Sequence, residues 1–212
     1  LNKKVQKSID KQFAKSQKEI DANKKKVEDG QSSINTGSDQ LTDAINQTMD
    51  KQQELLKTEK DLKNQLADLK KQQKSLSQIQ SGIQTFMQSD AYTGIVSVLK
   101  DNPQLAESEE MKAQIKQLNK VVKEQFAALS SLGITVNTYE DLPAASAEVG
   151  KLLAQVNTGI KTIESAQKKV ESGKVSLSSA LDTLNANASL TALKVSTSSA
   201  ELTSAASSLE DA

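Results

Sequence analysis

The sequence predicts an all-α protein, a long antiparallel coiled-coil hairpin stalk with a small helical head. Three observations predict this fold: apolar residues recur every seven positions in two long segments, no proline occurs before residue 103, and four of the five aromatic residues lie between the two segments. A sustained sevenfold apolar repeat is typical of supercoiled helices. We therefore divide the chain into an outgoing coiled-coil arm (1–88), a helical head (89–141) and a returning coiled-coil arm (142–212).

The outgoing arm has the stronger repeat. Ten of the eleven positions reached from Phe13 to Ile83 in steps of seven are apolar, and a helix over this span would be about 105 Å long. The residues three positions further on are mostly small or polar, with glycine at Gly30 and Gly37. Glycine inside a helix costs roughly 1 kcal/mol relative to alanine, so its recurrence at one heptad position indicates close helix packing.

The head is predicted to contain two helices. Ser89 or Asp90 caps the first, which ends before Pro103, and Gly133 stops the second. The second helix has an apolar face at the helical period, formed by Met111, Ile115, Leu118, Val122, Phe126 and Leu129. The segment from Thr138 to Asp141 resembles a capping box that begins the returning arm.

Acidic residues cluster near these helix starts, at Glu107, Glu109, Glu110, Glu140 and Asp141. A calcium site is one interpretation, but the alternating spacing and glycine of a calcium loop are missing. Stabilisation of the helix N-termini is the preferred interpretation.

The returning arm repeats the pattern with a break in phase. Apolar residues fall seven apart from Leu142 to Leu184, and the phase then jumps by four through Ala188 to Val195, Leu202 and Leu209. Such a stutter locally unwinds a coiled coil. It coincides with 185–189, a run of poor helix formers, where both a continuous helix and a break are compatible with the sequence. The Ser/Thr-rich stretch 189–208 either frays or pairs with residues 1–26.

Composition argues against an enzyme. The chain has 27 lysines, no arginine, histidine, cysteine or tryptophan, and zero formal net charge. It therefore lacks an imidazole base, a thiolate nucleophile and the usual zinc ligands, and the neutral balance gives no reason to expect a nucleic-acid partner. We expect no catalytic, cofactor-binding or metal-binding residues, and no cofactor.

The charges are unevenly distributed along the chain. Residues 1–26 hold nine lysines and three acids, whereas 89–141 hold five lysines and eight acids. The basic segment is either a solvated helix face or a surface for an anionic membrane.

The heptads at 28–34 and 171–177 share the form acid, polar, glycine, polar, with an aliphatic residue four positions after the glycine. This pattern in two arms around a head resembles the extracellular coiled-coil domains of Gram-positive FtsX/MacB-like ABC transporter permeases. Similar repeats occur in YhgE/Pip-type phage-infection and type VII secretion proteins and in MMPL/RND-like exporters. The resemblance implies a module on the extracellular side of the cell membrane that performs no nucleotide chemistry itself and transmits transmembrane motion to the head.

No stretch is apolar enough to cross a bilayer, no signal peptide is present, and the chain begins without methionine. We therefore expect a fragment of a longer membrane protein, anchored by flanking segments not in this chain. Its alternatives are a YhgE/Pip-like phage-infection or type VII secretion component and a free-standing structural coiled-coil homodimer.

Apolar residues of the head are the candidates for contact with a protein partner or a transported substrate. The competing interpretation is that they form the core of the head. These residues are Phe86, Met87, Tyr92, Ile95, Val96 and Leu99.

Overall fold

The computed structural model describes residues 2–210, and the side chains of these residues except 202 and 205–210. Within this range the chain is all-α, with no strand, as the sequence predicts. Its four α-helices are α1 (Asn2–Met87), α2 (Asp90–Asp101), α3 (Glu109–Gln125) and α4 (Leu142–Glu210). Short 3₁₀ helices occupy Pro103–Glu107, Ala127–Leu132 and Tyr139–Asp141. Because α1 packs against α4, the predicted helical hairpin is confirmed.

Contacts divide the chain into two compact units. One combines Leu1–Thr58 with Val170–Ala212, and the other is Glu59–Lys169. The second unit contains the whole head together with the adjoining parts of α1 and α4.

In the first unit, α1 and α4 pair through a large residue set against a small one. A Cβ placed on Gly173 would lie 3.1 Å from Cδ1 of Leu55, so the missing side chain gives the leucine its space. Gly30 and Gly37, by contrast, have no such neighbour within 4 Å. The prediction that glycine marks close packing is therefore wrong at these two positions.

The returning helix of this unit is uninterrupted. α4 runs through 185–189 without a break, and the half-buried Ala188 and Val195 follow the shifted apolar phase. The four-residue stutter is therefore accommodated inside a continuous helix. The side chains of Leu202 and Leu209, which extend that phase in the sequence, lie outside the described residues.

In the second unit, polar pairs fix the register of α1 against α4. Gln73 donates from Nε2 to Oδ1 of Asn157 at 2.6 Å, and Gln80 donates from Nε2 to the hydroxyl of Ser146 at 3.0 Å. Partly buried polar pairs in a coiled-coil seam favour one register because a slip would leave them without partners. Gly159 adds a steric constraint, since a Cβ there would lie 3.3 Å from Leu69 Cδ1.

The hydrophobic core of this unit lies where the two arms meet the head. α1 contributes Leu76 and Ile83, and α4 contributes Val149. Ile83, Val122, Leu142 and Val149 are the largest side chains that are completely buried. The helices α2 and α3 and the chain from Phe126 to Val136 add to this core, through Tyr92, Ile95, Leu118, Val122, Phe126, Leu129, Ile134 and Val136.

The predicted helix starts in the head are confirmed. Ser89 caps α2 by accepting a hydrogen bond from the Tyr92 amide. Ser108 caps α3 in the same way, with Glu109 and Glu110 in its first turn. The capping box between Thr138 and Asp141 is present, and α4 begins immediately after it.

The end of α3 differs from the prediction. The helix stops at Gln125 and a 3₁₀ segment carries the chain to Gly133, whose φ of 74° ends that segment. The hydroxyls of Ser130 and Ser131 donate to the carbonyls of Ala127 and Ala128 at 2.8 Å. Side-chain bonds to nearby carbonyls compete with a regular α-helix, which explains the early end of α3.

Candidate functional site

One apolar concave surface in the second unit is a groove of about 380 Å³ between α2 and α3. We call it the α2–α3 groove. Its apolar lining comes from Phe86, Ala91, Gly94, Ile95, Leu118 and Val121, and its polar lining comes from Asp90, Gln114 and Gln117. Apolar clefts with a few polar groups are the usual form of a binding site.

The groove is open because one face of α2 carries small residues. Ala91 and Gly94 are one helical turn apart, and no atom lies within 4 Å of a Cβ placed on Gly94. From α3, the residues at 114, 117, 118 and 121 share one face, since they follow the i, i+3, i+4, i+7 spacing. Val121 is 38% exposed in this setting, so an apolar surface is left available on the rim.

Phe86 connects the groove to the stalk. It lies in the last turn of α1 and makes edge-to-face contacts with Phe126 and Tyr92, at centroid distances of 5.5 and 6.3 Å. Tyr92 in turn meets Tyr139, just before α4, at 6.2 Å. One aromatic series therefore links the end of α1, the first turn of α2, the region after α3 and the start of α4.

The six predicted contact residues separate into different environments. Phe86 and Ile95 line the α2–α3 groove, whereas Tyr92 is buried in the core, with 7% of its surface exposed. Leu99 lines a second cavity, of about 350 Å³, beside Tyr139. Met87 and Val96 are half-buried against the core.

Sequence reasoning missed the side of the groove that α3 provides. The sequence places Leu118 on the apolar face of the second head helix but does not single out Val121, Gln114 or Gln117 as candidates. The adjacent valines Val121 and Val122 were the available signal, because an apolar pair spans two faces of a helix and only one of them is needed for the core.

Burial and hydrogen bonding set the ionisation of three groups in the head. Burial raises the pKa of Tyr92. Burial also raises the pKa of Tyr139, and the negative charge of Glu140 adds to the increase. The pKa of Asp141 is lowered, because its Oδ2 accepts hydrogen bonds from the amides of Asn137 and Thr138, each at 2.8 Å.

The head is also tied directly to the start of α4. Asn119, on α3, accepts a hydrogen bond from the Tyr139 amide at 2.9 Å. The Asp141 bonds close the turn that follows. A shift of α4 at this point would therefore be transmitted to α3, which forms one side of the groove.

The described residues contain no group of three acidic, histidine or cysteine side chains placed to hold a metal ion. Over the same range, no helix combines the length and apolar character needed to span a membrane.

In comparisons with known proteins, the chain matches no family model, and no curated protein or solved structure gives a significant match.

Proposed function

We propose that this chain is the extracytoplasmic stalk-and-head module of a bacterial membrane transporter of the ABC permease type. In this proposal it performs no catalysis. It couples motion of transmembrane segments outside this chain to contact with a substrate or partner protein at the head, on the outer face of the cell membrane of a Gram-positive bacterium.

The observation that carries the proposal is the position of Phe86. This residue belongs to the last turn of α1 and also lines the α2–α3 groove. Axial or rotational displacement of α1 against α4 therefore changes the groove directly, without an intervening flexible linker. A packed interface of this kind has discrete arrangements and passes on small shifts.

The two arms are suited to transmit such a displacement. Their polar pairs, Gln73 with Asn157 and Gln80 with Ser146, lie between the arms. Lys70 Nζ also lies 3.6 Å from Glu164 Oε1 across the same interface, where both side chains are about half exposed. The exposed ion pair adds little stability but identifies two positions at which the arms can be linked from solvent.

Cross-linking at these positions tests the coupling. Because the chain has no cysteine, Lys70→Cys with Glu164→Cys in the full-length protein provides the only thiol pair in this region for a bismaleimide. The matched control is Glu148→Cys with Lys151→Cys, whose native side chains lie 2.6 Å apart on α4 alone. We expect the inter-arm link, but not the control, to suppress ATP hydrolysis by the transporter reconstituted in nanodiscs. Equal hydrolysis by both linked proteins would overturn the proposal.

The groove is tested separately by introducing a charge. Val121 lines the α2–α3 groove and Val98 does not, yet each is 38% exposed. A carboxylate in an apolar contact costs several kcal/mol when it loses water. Val121→Glu should therefore reduce transport activity at least tenfold, whereas Val98→Glu should not. If both variants fold and retain full activity, the contact is not in this groove.

Two further measurements test the transporter class: association of the full-length protein with an ATP-hydrolysing subunit, and the side of the membrane on which this chain lies. The full-length protein should co-purify with an ATP-hydrolysing subunit, and trypsin added to intact cells should cut this lysine-rich chain. Protection in intact cells, with cleavage only after lysis, would contradict the extracytoplasmic location. Recovery of an unanchored dimer would favour the structural coiled coil.

A further inference from the structure

The first turns of α1 carry an exposed apolar stripe. Val5, Ile9 and Phe13 are 53%, 51% and 75% exposed. Their spacing of four residues places them within an arc of about 80° on the helix surface. Further along α1, Ile20 and Val27 are 41% and 36% exposed, and Ile34 and Leu41 are half-buried. Exposure of the large apolar residues of α1 is therefore greatest in the stripe.

The charges around the stripe are strongly one-sided. Asp10 is the only acidic residue in 2–16, and the five basic residues are Lys3, Lys4, Lys7, Lys11 and Lys15. On a helical projection these lysines occupy the face opposite the stripe, about 160° to 280° from Val5. All of the residues in 2–16 are exposed. The segment is therefore an amphipathic helix with a cationic polar face.

We propose that residues 2–16 bind an anionic lipid surface, with Val5, Ile9 and Phe13 inserted at the boundary between headgroups and acyl chains. Apolar and cationic faces on one helix are the combination that lies in the plane of such a surface. With the stripe inserted at that boundary, the lysines of the opposite face lie on the headgroup side, where their ammonium groups meet the lipid phosphates.

A second copy of the chain fits the stripe less well. Pairing two such segments would bring two sets of five lysines together with little compensating acid, and like charges repel. Three side chains per copy also bury far less than the roughly 1,000 Å² expected of a stable protein interface. An anionic lipid surface neutralises the positive charge of the lysines and buries the apolar stripe.

The inference does not rest on the transporter proposal, since it concerns residues of this chain alone. The 212-residue chain is mixed with vesicles of phosphatidylcholine, or of equal parts phosphatidylcholine and phosphatidylglycerol. Phe13→Trp supplies a single fluorophore, because the chain has no tryptophan. We expect a blue-shifted emission with the anionic vesicles only. Leu193→Trp is the matched control, since Leu193 is 65% exposed on α4, and its emission should not shift.

Two further variants separate the contributions. Phe13→Ala should weaken vesicle binding about tenfold. Replacing Lys3, Lys7 and Lys11 with glutamine should weaken it about a hundredfold, and added salt should weaken binding of the unaltered chain. Leu193→Ala should change affinity by less than about twofold, because α4 makes no contact with lipid in this proposal.

Three results would overturn the inference. They are absence of binding to anionic vesicles, equal binding to neutral vesicles with no effect of the lysine changes, and a concentration-dependent dimer that Phe13→Ala abolishes. The last result would identify a second copy as the occupant. None of them bears on the cross-linking test, so failure of this inference is distinguishable from failure of the transporter proposal.

Discussion

Exchange of glycine for leucine at two helical positions tests the packing of the stalk quantitatively. Gly159 and Gly82 lie in the same unit and are both half-buried. A Cβ placed on Gly159 would lie 3.3 Å from Leu69 Cδ1. A Cβ placed on Gly82 would have no neighbouring atom within 4 Å. Either change gains about 1 kcal/mol in helix propensity. At Gly159 the larger side chain must also displace Leu69, which costs about 1–3 kcal/mol.

We therefore expect Gly82→Leu to raise the free energy of unfolding by about 1 kcal/mol, and Gly159→Leu to leave it unchanged or lower it by up to about 2 kcal/mol. Urea unfolding followed by far-ultraviolet circular dichroism measures both. Adding Leu69→Ala to Gly159→Leu exchanges the large and small residues and should recover more than about 1 kcal/mol relative to additivity. An additive double variant, or equal effects at the two glycines, would refute the predicted contact.

Three other predictions concern the head. Ile83→Ala should lower the free energy of unfolding by about 2–5 kcal/mol, whereas Leu105→Ala, at a residue 42% exposed, should cost less than about 1 kcal/mol; urea titration compares them. Asp141 has a lowered pKa in the folded state, so its stabilising effect is present above about pH 4 and is lost as the pH falls through the folded-state pKa. Thermal unfolding of Asp141→Asn should therefore show a lower melting temperature at neutral pH and a weaker acid dependence than the unaltered chain. Alkaline absorbance titration should show Tyr92 and Tyr139 ionising at higher pH in the folded chain than in urea, because burial raises both pKa values; identical titrations would contradict this.

The heptad pattern was sufficient to predict the stalk because its signal is local and repeated. Leu55 and Leu69 lie on the predicted seam, and their small partners Gly173 and Gly159 follow the seam residues Val170 and Val156 by three positions. The pattern failed at Gly30, since composition cannot distinguish a glycine required by a neighbour from one exposed to solvent. That distinction depends on which residue of α4 faces the glycine, and the sequence of α1 alone does not contain this information.

The head was predictable at its helix starts and less so at its helix ends. Ser89 and Thr138 act through hydrogen bonds to residues three positions away, so the sequence reveals them. Ser108 caps α3 in the same way but was not predicted. The end of α3 at Gln125 depends on competition between the apolar period, which continues to Leu129, and the serine hydroxyls that stabilise a 3₁₀ turn. The sequence shows both the helical period and the serines that favour a 3₁₀ turn, but it does not show which of the two conformations has the lower free energy.

The candidate site was predicted in part. Phe86 and Ile95 were selected for their apolar character, and both line the α2–α3 groove. Ile95 also belongs to the buried core, as does Tyr92, which does not line the groove. The packing of α3 beside α2, which brings Val121 and Gln117 into the groove, is a tertiary contact. The periodicity of α2 alone does not reveal it.

The arrangement of α1 against α4 in a single chain is tested most directly by zero-length cross-linking. Carbodiimide joins a lysine to a carboxylate only where the two are in contact, and Lys70 Nζ lies 3.6 Å from Glu164 Oε1. A mixture of nitrogen-15-labelled and unlabelled chains is cross-linked, digested and analysed by mass spectrometry. The structure predicts Lys70–Glu164 peptide pairs in which both peptides carry the same label. Pairs of mixed label, or no such pair, would contradict the intramolecular hairpin.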